Sequence, residues 1–305
     1  MCAERGLADE RKSGLPRVVV VGAGFAGLAC ADELAAVGYR VTVVEARDRL
    51  GGRVVSLRDV VPGKIVEGGG ELVGPNQPTW MAYAKRFGLT FTEMPWNPCD
   101  VIRLGNETLS PAAARALWQD MRAALERLNA DAMPIDPFRP WESPDARHID
   151  ARSLDDWIAG LDVDPRCKEL IAIQMTGING LIPAWQSLLG ILAIVRGGGL
   201  QKFWDETDTL HCVGGNQQLA DKLAASFTRV RGGDAIRLGC AVHAIRLRGD
   251  TFTVTLANGQ SLEADDVVLT VPPPFTIAHQ PAVVFHLVVS RIVDDVSVDD
   301  WLCFL

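Results

Sequence analysis

Residues 17–45 read RVVVVGAGFAGLACADELAAVGYRVTVVE, and this stretch decides the fold. The valine run over 17–21 is typical of a buried parallel strand, and an apolar helical pattern follows over 28–37. Gly38 favours the end of that helix, and residues 41–44 indicate a second strand. A strand, a helix and a strand in this order predict a βαβ unit.

The turn between the first strand and the helix has the pattern G-x-G-x-x-G. The first glycine permits a tight turn, the second lets a pyrophosphate approach the backbone, and the third lets the helix pack on the strand. Free N–H groups at the helix N-terminus favour phosphates. An acid follows the glycines by roughly twenty residues, the spacing expected for an acceptor of ribose hydrogen bonds. The predicted dinucleotide-binding residues are Gly22, Ala23, Gly24, Phe25, Ala26, Gly27 and Glu45.

Composition narrows the functional classes. The chain has 305 residues, enough for two domains, and its formal charge of −8 argues against nucleic-acid binding. Its seven cysteines form no C-x-x-C pair, so we expect no metal site, no disulfide framework and a cytoplasmic location. The N-terminus lacks the apolar core of a signal peptide, and no apolar stretch has membrane length, so we expect no membrane association.

Further periodic patterns predict a set of helices and one hairpin. The Asn258-Gly259 pair between two strand patterns indicates the hairpin. A buried strand is predicted over 267–271. The predicted helices cover residues 79–87, 111–129, 154–160, 167–176, 184–195 and 217–227.

Three other segments distinguish between cofactors and indicate a family. Residues 45–53, EARDRLGGR, resemble the E-A-x-x-x-x-G-G-R signature of two-dinucleotide-binding flavoproteins. Residues 66–77, VEGGGELVGPNQ, look like the G-G-x-x-x-G-P-x-Q segment of flavin-dependent amine oxidases, and residues 213–219, VGGNQQL, resemble their G-G-x-x-x-L element. The strand before the prolines at 272–274 also resembles a strand of this family. The chain thus resembles the flavin-dependent amine oxidases, which include monoamine oxidases and L-amino-acid oxidases, over roughly residues 15–274.

The resemblance implies that FAD is the cofactor, and we expect it to be bound non-covalently. Arg53 and the glycines before it would lie near the pyrophosphate, the segment that starts at Gly69 beside the isoalloxazine ring, and the Val242 backbone at the adenine. The residues implied in this way are Ala46, Arg47, Gly51, Gly52, Arg53, Gly69, Gly70, Glu71, Leu72 and Val242.

The implied fold class is α/β: a Rossmann-like FAD-binding domain of the two-dinucleotide-binding flavoprotein type with an α+β substrate domain, incomplete at the C-terminus. Residues 1–16 are expected to be a flexible lead-in. The FAD-binding domain would be discontinuous, over 17–78 and 212–274, and would enclose a substrate or helical domain over 79–211. Residues 275–305 form an atypical tail.

The family's reaction is the oxidation of a C–N bond. A hydride equivalent passes from a primary amine to the flavin and leaves an imine, and O2 is reduced to H2O2; the protein positions the substrate. The implied partners are a small-molecule amine or amino acid and O2, and a homodimer is left open.

Two segments bear on the substrate. Residues 74–77 read GPNQ where amino-acid oxidases often carry an arginine for a carboxylate, which favours amines. Arg196 keeps an L-amino-acid oxidase open as an alternative. The apolar stretch 181–195 could line a substrate pocket or form core.

The sequence departs from the family at its C-terminal end. The family's lysine near the flavin, its aromatic pair and its closing motif have no match here, so the catalytic residues stay unknown. We expect a truncated or frameshifted product that binds FAD weakly or is poorly soluble, which leaves an inactive flavin-binding fragment open. The GPNQ element speaks against a desaturase, and an NAD dehydrogenase lacks a nicotinamide-site signature here.

Overall fold

The computed structural model describes residues 15–94 and 102–272. Almost all of the predicted lead-in, and the whole of the predicted tail over 275–305, lie outside the described residues. The chain divides into two compact units. Among the described residues, one contains 15–71, 79–92 and 211–272, and the other contains 72–78, 93–94 and 102–210.

A parallel sheet of four strands is the centre of the first unit. Its order is Ile236–Arg237, Arg40–Val44, Arg17–Val21 and Asp266–Leu269. The valines of Arg17–Val21 are buried on both faces of the sheet, which explains why this strand shows no polar alternation. The predicted βαβ unit is therefore confirmed, and its helix spans Phe25–Ala36.

The two faces of this sheet are covered differently. Helix Phe25–Ala36 and helix Gln217–Arg231 pack on one face, where Val20, Leu28 and Phe227 share a core. An antiparallel sheet covers the other face, where Val19 packs in a second, separate hydrophobic core. The strands of that antiparallel sheet are Val242–Arg248, Thr251–Leu256 and Ser261–Ala264, in this order.

The predicted Asn258-Gly259 hairpin is confirmed. Gly259 has a φ of +85°, which favours glycine, and its N–H donates to the carbonyl oxygen of Leu256. Along Thr251–Leu256 alternate residues are buried, as expected for a strand with one covered face. The first unit also contains the paired strands Ser56–Leu57 and Val66–Glu67.

Helix Pro78–Phe87 lies in the first unit from Thr79 on, although the sequence assigned residues from 79 on to the substrate domain. Trp80, Tyr83 and Phe87 pack against the core that contains Leu28. The guanidinium of Arg86 also lies 2.7 Å from the carboxylate of Asp32, whose side chain is 6% exposed. These contacts explain why this helix belongs with the sheet.

Residues 72–78 show the opposite difference, because they lie in the second unit although the sequence placed them in the FAD-binding domain. The side-chain amide of Asn76 donates to the carbonyl oxygen of Gly198 at 3.2 Å and to the hydroxyl of Thr207 at 2.8 Å. A Cβ atom at Gly74 would lie 2.2 Å from the carbonyl oxygen of Glu206. The segment is thus held within that unit, while the functional roles of the two domains stay predictions.

The second unit is mainly helical. Ser110, Asp164 and Ser187 cap their helices through side-chain oxygens that accept backbone N–H groups. Strands Arg103–Leu104 and Glu107–Thr108 form a short hairpin. The helices are Pro111–Ala132, Ala146–Asp150, Leu154–Ala159, Pro165–Asn179, Leu188–Gly197 and Gln201–Glu206.

Three short strands, Leu72–Val73, Phe91–Glu93 and Leu210–Cys212, lie where the chain passes from one unit to the other. Each predicted helix corresponds to an observed one, with ends that differ by a few residues. Within residues 15–94 and 102–272, no helix combines the length and the apolar character that crossing a bilayer requires.

Candidate cofactor site

The three glycines of the G-x-G-x-x-G turn differ in their surroundings. Gly22 has a φ of +110°, and a Cβ atom there would lie 2.8 Å from the hydroxyl oxygen of Thr270. A Cβ atom at Gly27 would lie 1.9 Å from the carbonyl oxygen of Gly22. At Gly24 the nearest atom would be 3.8 Å away, an ordinary contact. The chain itself therefore requires Gly22 and Gly27, whereas its own packing would tolerate a Cβ atom at Gly24.

The other residues of the turn have separate places. Ala23 is fully buried, and Ala26 is exposed on the first turn of the helix. The ring of Phe25 packs edge-to-face on Trp80 at a centroid distance of 6.4 Å. Its side chain thus belongs to the core, and only its backbone is available to a phosphate. No side chain caps this helix at Gly24, so its first N–H groups can bind an anion.

Glu45 directly follows the strand Arg40–Val44, and its ribose-binding role stays a prediction. It is 8% exposed, and its carboxylate accepts the N–H of Ala23 at 2.8 Å and the N–H of Arg47 at 2.9 Å. A carboxylate has about four acceptor sites, so a ribose can still be bound. Glu45 therefore also holds the glycine turn in place.

The second glycine segment, residues 51–52, contacts the first glycine segment, which is the turn over residues 22–27. Gly51 donates its N–H to the carbonyl oxygen of Ala23 at 2.9 Å. A Cβ atom at Gly52, where φ is +60°, would lie 3.2 Å from the Cα atom of Gly24. The structure thus brings together the residues that the sequence assigned separately to this site.

Arginines surround the second glycine segment. Arg47 donates to the carbonyl oxygen of Gly52 at 3.0 Å, and Arg49 donates to the same oxygen at 2.9 Å. Arg53 is exposed, and its guanidinium has no hydrogen-bond partner within the described part of the chain, so it can take a phosphate. Arg49 is not among the predicted site residues, because it falls on a variable position of the E-A-x-x-x-x-G-G-R signature.

Thr270 was also missed by the sequence analysis. Its hydroxyl donates to the carbonyl oxygen of Val21 at 2.8 Å, at the end of the central strand. It therefore closes the glycine turn from a neighbouring strand. The only sequence signal was its place in the predicted strand over 267–271, which did not distinguish it from its neighbours.

The third glycine segment, residues 68–70, packs closely against the backbone of Arg53. A Cβ atom at Gly69 would lie 2.0 Å from the carbonyl oxygen of Arg53, and Gly70 donates its N–H to that oxygen at 3.2 Å. The chain's own packing therefore requires a glycine at position 69, and the contact of this segment with a flavin ring stays a prediction. Glu71 is exposed, and Leu72 begins the strand Leu72–Val73.

Asn216 connects this segment to helix Gln217–Arg231. Its side-chain amide donates to the carbonyl oxygens of Gly70 at 3.0 Å and Glu71 at 2.7 Å. Its backbone N–H donates to the carboxylate of Glu67 at 2.8 Å. The predicted site did not include Asn216 or Glu67, although both lie in the quoted motifs.

Val242 begins the strand Val242–Arg248 and is half-buried. Two residues before it, Cys240 donates its N–H to the carbonyl oxygen of Glu45 at 2.7 Å. Ala46 follows Glu45 directly and is exposed. The predicted adenine and ribose contacts thus belong to adjacent backbone segments. Among the described residues, no group of three or more possible ligands could hold a metal ion.

Similarity to known proteins decides the family. Residues 25–276 match the family described as flavin containing amine oxidoreductase. The chain belongs to this family. Its members are oxidoreductases, and membership makes FAD the cofactor that the site has to fit. The α/β fold class predicted from the sequence is thereby confirmed.

Two curated relatives and one solved structure illustrate the similarity. The chain is 34% identical to AofH of Mycobacterium tuberculosis, by name a flavin-containing monoamine oxidase, over 88% of this chain and 58% of that protein. It is 31% identical to putrescine oxidase of Kocuria rosea, over 84% of this chain and 56% of that protein. A putrescine oxidase structure with bound putrescine is similar at a TM-score of 0.72 and 27% identity, over 85% of this chain and 58% of that chain. The chain therefore spans little more than half the length of these relatives.

The residues present fit the pyrophosphate of FAD. Gly24 has no side chain to block the backbone, the uncapped helix N-terminus supplies N–H donors, and the exposed Arg53 supplies a cation. The buried carboxylate of Glu45 stands at the end of the neighbouring strand. This donor set matches the chemistry of a dinucleotide.

Proposed function

We propose that this chain binds FAD non-covalently and serves in the oxidation of a primary amine to an imine, with O2 reduced to H2O2. The observation that carries the proposal is the meeting of the two glycine segments, where Gly52 faces Gly24 at a helix N-terminus that no side chain caps. Bound FAD would supply the hydride acceptor for the oxidation. The residues of the chain would hold the cofactor and the substrate.

Each part of the cofactor would have its own protein contacts. The backbone at Gly24 and the helix N-terminus would bind the pyrophosphate, with Arg53 as the countercharge. Glu45 would accept hydrogen bonds from the ribose through the acceptor sites that Ala23 and Arg47 leave open. The Val242 backbone would contact the adenine. The remaining predicted contacts, to the isoalloxazine ring, are those of Gly69, Gly70, Glu71 and Leu72.

An amine is the favoured substrate class. In the GPNQ segment, the place where amino-acid oxidases often have an arginine, Asn76 is bound to Gly198 and Thr207 and offers no positive charge to a carboxylate. A putrescine oxidase among the similar proteins supports the same preference. An L-amino-acid oxidase stays as the alternative on Arg196, whose buried Nε atom has no partner among the described residues.

The apolar stretch over 181–195 serves mainly as core. Leu188, Ile191, Leu192 and Val195 are buried in the core of the second unit. Trp185 is 75% exposed, so the beginning of the stretch is what remains for contact with a substrate. An apolar surface would favour the neutral amine, because burial disfavours the charged form.

Titration of the purified 305-residue chain with FAD tests the proposal. Stoichiometric binding, seen as quenched flavin fluorescence, with peroxide formation when primary amines are added, would support the proposal and would exclude the weak FAD binding expected of a truncated product. Peroxide from L-amino acids alone would decide for the alternative substrate. Bound flavin that no amine reduces under anaerobic conditions would decide for the inactive flavin-binding fragment, and absence of FAD binding would overturn the proposal. The cytoplasmic location and a homodimer remain predictions.

A further inference from the structure

Asn216 occupies a helix-capping position but does not cap its helix. It directly precedes helix Gln217–Arg231, where an asparagine side chain normally accepts an N–H group of the first turn. Here no such bond is made. Asn216 is 2% exposed, and its side-chain oxygen has no partner among the described residues. The burial of this amide therefore needs another explanation.

The amide nitrogen of Asn216 provides that explanation. It donates to the carbonyl oxygens of two consecutive residues, Gly70 at 3.0 Å and Glu71 at 2.7 Å. One amide group thus fixes the direction of two neighbouring peptide carbonyls. In a trans peptide the next N–H points opposite to the carbonyl, so the N–H of Glu71 is directed away from Asn216.

Glu67 and Ser56 replace Asn216 at the start of the helix. The Glu67 carboxylate accepts the N–H of Asn216 at 2.8 Å, and the Ser56 hydroxyl accepts the N–H of Gln217 at 3.2 Å. The same hydroxyl donates to Glu67 at 2.9 Å. A carboxylate at a helix N-terminus also interacts favourably with the helix dipole. The helix can therefore begin without help from the Asn216 side chain.

We propose that Asn216 is a positioning residue that orients the Gly70–Glu71 peptide for the flavin. This rests on the proposed function, in which that segment lies beside the isoalloxazine ring. The network leaves little freedom for an alternative arrangement. A Cβ atom at Gly215, where φ is +93°, would lie 2.4 Å from the hydroxyl oxygen of Ser56, so the neighbouring turn is fixed as well.

The variant Asn216→Ser distinguishes a role in positioning the Gly70–Glu71 peptide from a role in starting helix Gln217–Arg231. Serine caps helices well but is too short to bind both carbonyls. We expect a cooperative melt, amide exchange over residues 66–72 that is faster by about tenfold with 217–231 unchanged, and a shifted absorbance spectrum of bound FAD. Asn258→Ser, in the exposed hairpin turn, is the matched control and should change none of these.

Asn216→Asp, which keeps the size of the side chain but removes its donor, decides the question if the serine variant does not melt cooperatively. Faster exchange in 66–72 with an unchanged 217–231 supports positioning. Faster exchange confined to 217–231, or exchange and flavin spectra equal to wild type, overturns it. Failure of the wild-type chain to bind FAD would overturn the proposed function, while the exchange comparison would still decide whether Asn216 holds the segment.

Discussion

The carboxylate of Glu45 accepts the backbone N–H of Ala23 at 2.8 Å, so the residue that follows the second strand holds the turn that follows the first. The same carboxylate accepts the N–H of Arg47. A residue expected only to bind a ribose is therefore also part of the scaffold. Its removal should affect stability even without a cofactor.

Glu45→Gln tests this scaffold role in the absence of FAD. The glutamine amide can accept only one of the two N–H groups and turns its own NH2 towards the other. We expect a loss of about 1–3 kcal/mol in the free energy of unfolding, measured by urea denaturation. Glu126→Gln, at an exposed helix position, is the control. Equal stability of the two variants would contradict the scaffold role.

Gly27→Ala should destabilise the first unit strongly. A Cβ atom would lie 1.9 Å from the carbonyl oxygen of Gly22, so the helix would have to move away from the turn. Overpacking of this kind costs about 1–3 kcal/mol or more. Denaturation curves measure the loss, and a variant as stable as the wild type would show that the observed packing is wrong.

Arg86→Met should leave the buried Asp32 carboxylate without its 2.7 Å partner. Because the arginine side chain is 43% exposed, we expect a moderate cost of about 1–3 kcal/mol. The double variant Asp32→Asn with Arg86→Met should recover part of the stability. A double-mutant cycle with no coupling between the two positions would contradict this account.

The stability that the hydrogen bonds between Ser153 and Asp156 contribute at the start of their helix should depend on pH. The hydrogen bond from the Ser153 backbone N–H, followed by that from its hydroxyl, lowers the pKa of Asp156 from its ordinary value of 3.8. A lowered pKa in the folded state stabilises the protein above that ordinary value, and the contribution is lost as the pH falls below it. The melting temperatures of wild type and Asp156→Asn should therefore differ at neutral pH and converge below pH 3.8. A constant difference down to pH 2 would exclude this role.

The local patterns of the sequence predicted much of this fold. The valine run, the glycine turn and the Asn258-Gly259 pair each indicate structure through the conformations available to a few consecutive residues. Long-range partners could not be predicted in this way. Thr270 and Asn216 act on segments far away in the chain, and their own neighbours carry no sign of those contacts.

The predicted domain boundary at residue 79 differs from the observed division of the chain for a related reason. The apolar face of helix Pro78–Phe87 indicates that this face packs against a core, but not which core it is. Contacts of Trp80 with Phe25 and Phe91 assign it to the first unit. Such a choice depends on tertiary packing, which periodicity does not encode.

Replacement of Gly24 is the most direct test of the central claim that FAD binds over the glycine turn. Gly24→Ala adds a Cβ atom whose nearest neighbour in the chain would be 3.8 Å away, and at Gly177 the same change meets nothing within 4 Å. Both variants should therefore fold and melt like the wild type. FAD titration should give an affinity weaker by about tenfold or more for Gly24→Ala and an unchanged affinity for Gly177→Ala. Equal FAD affinities for the wild type and the two variants would contradict the account.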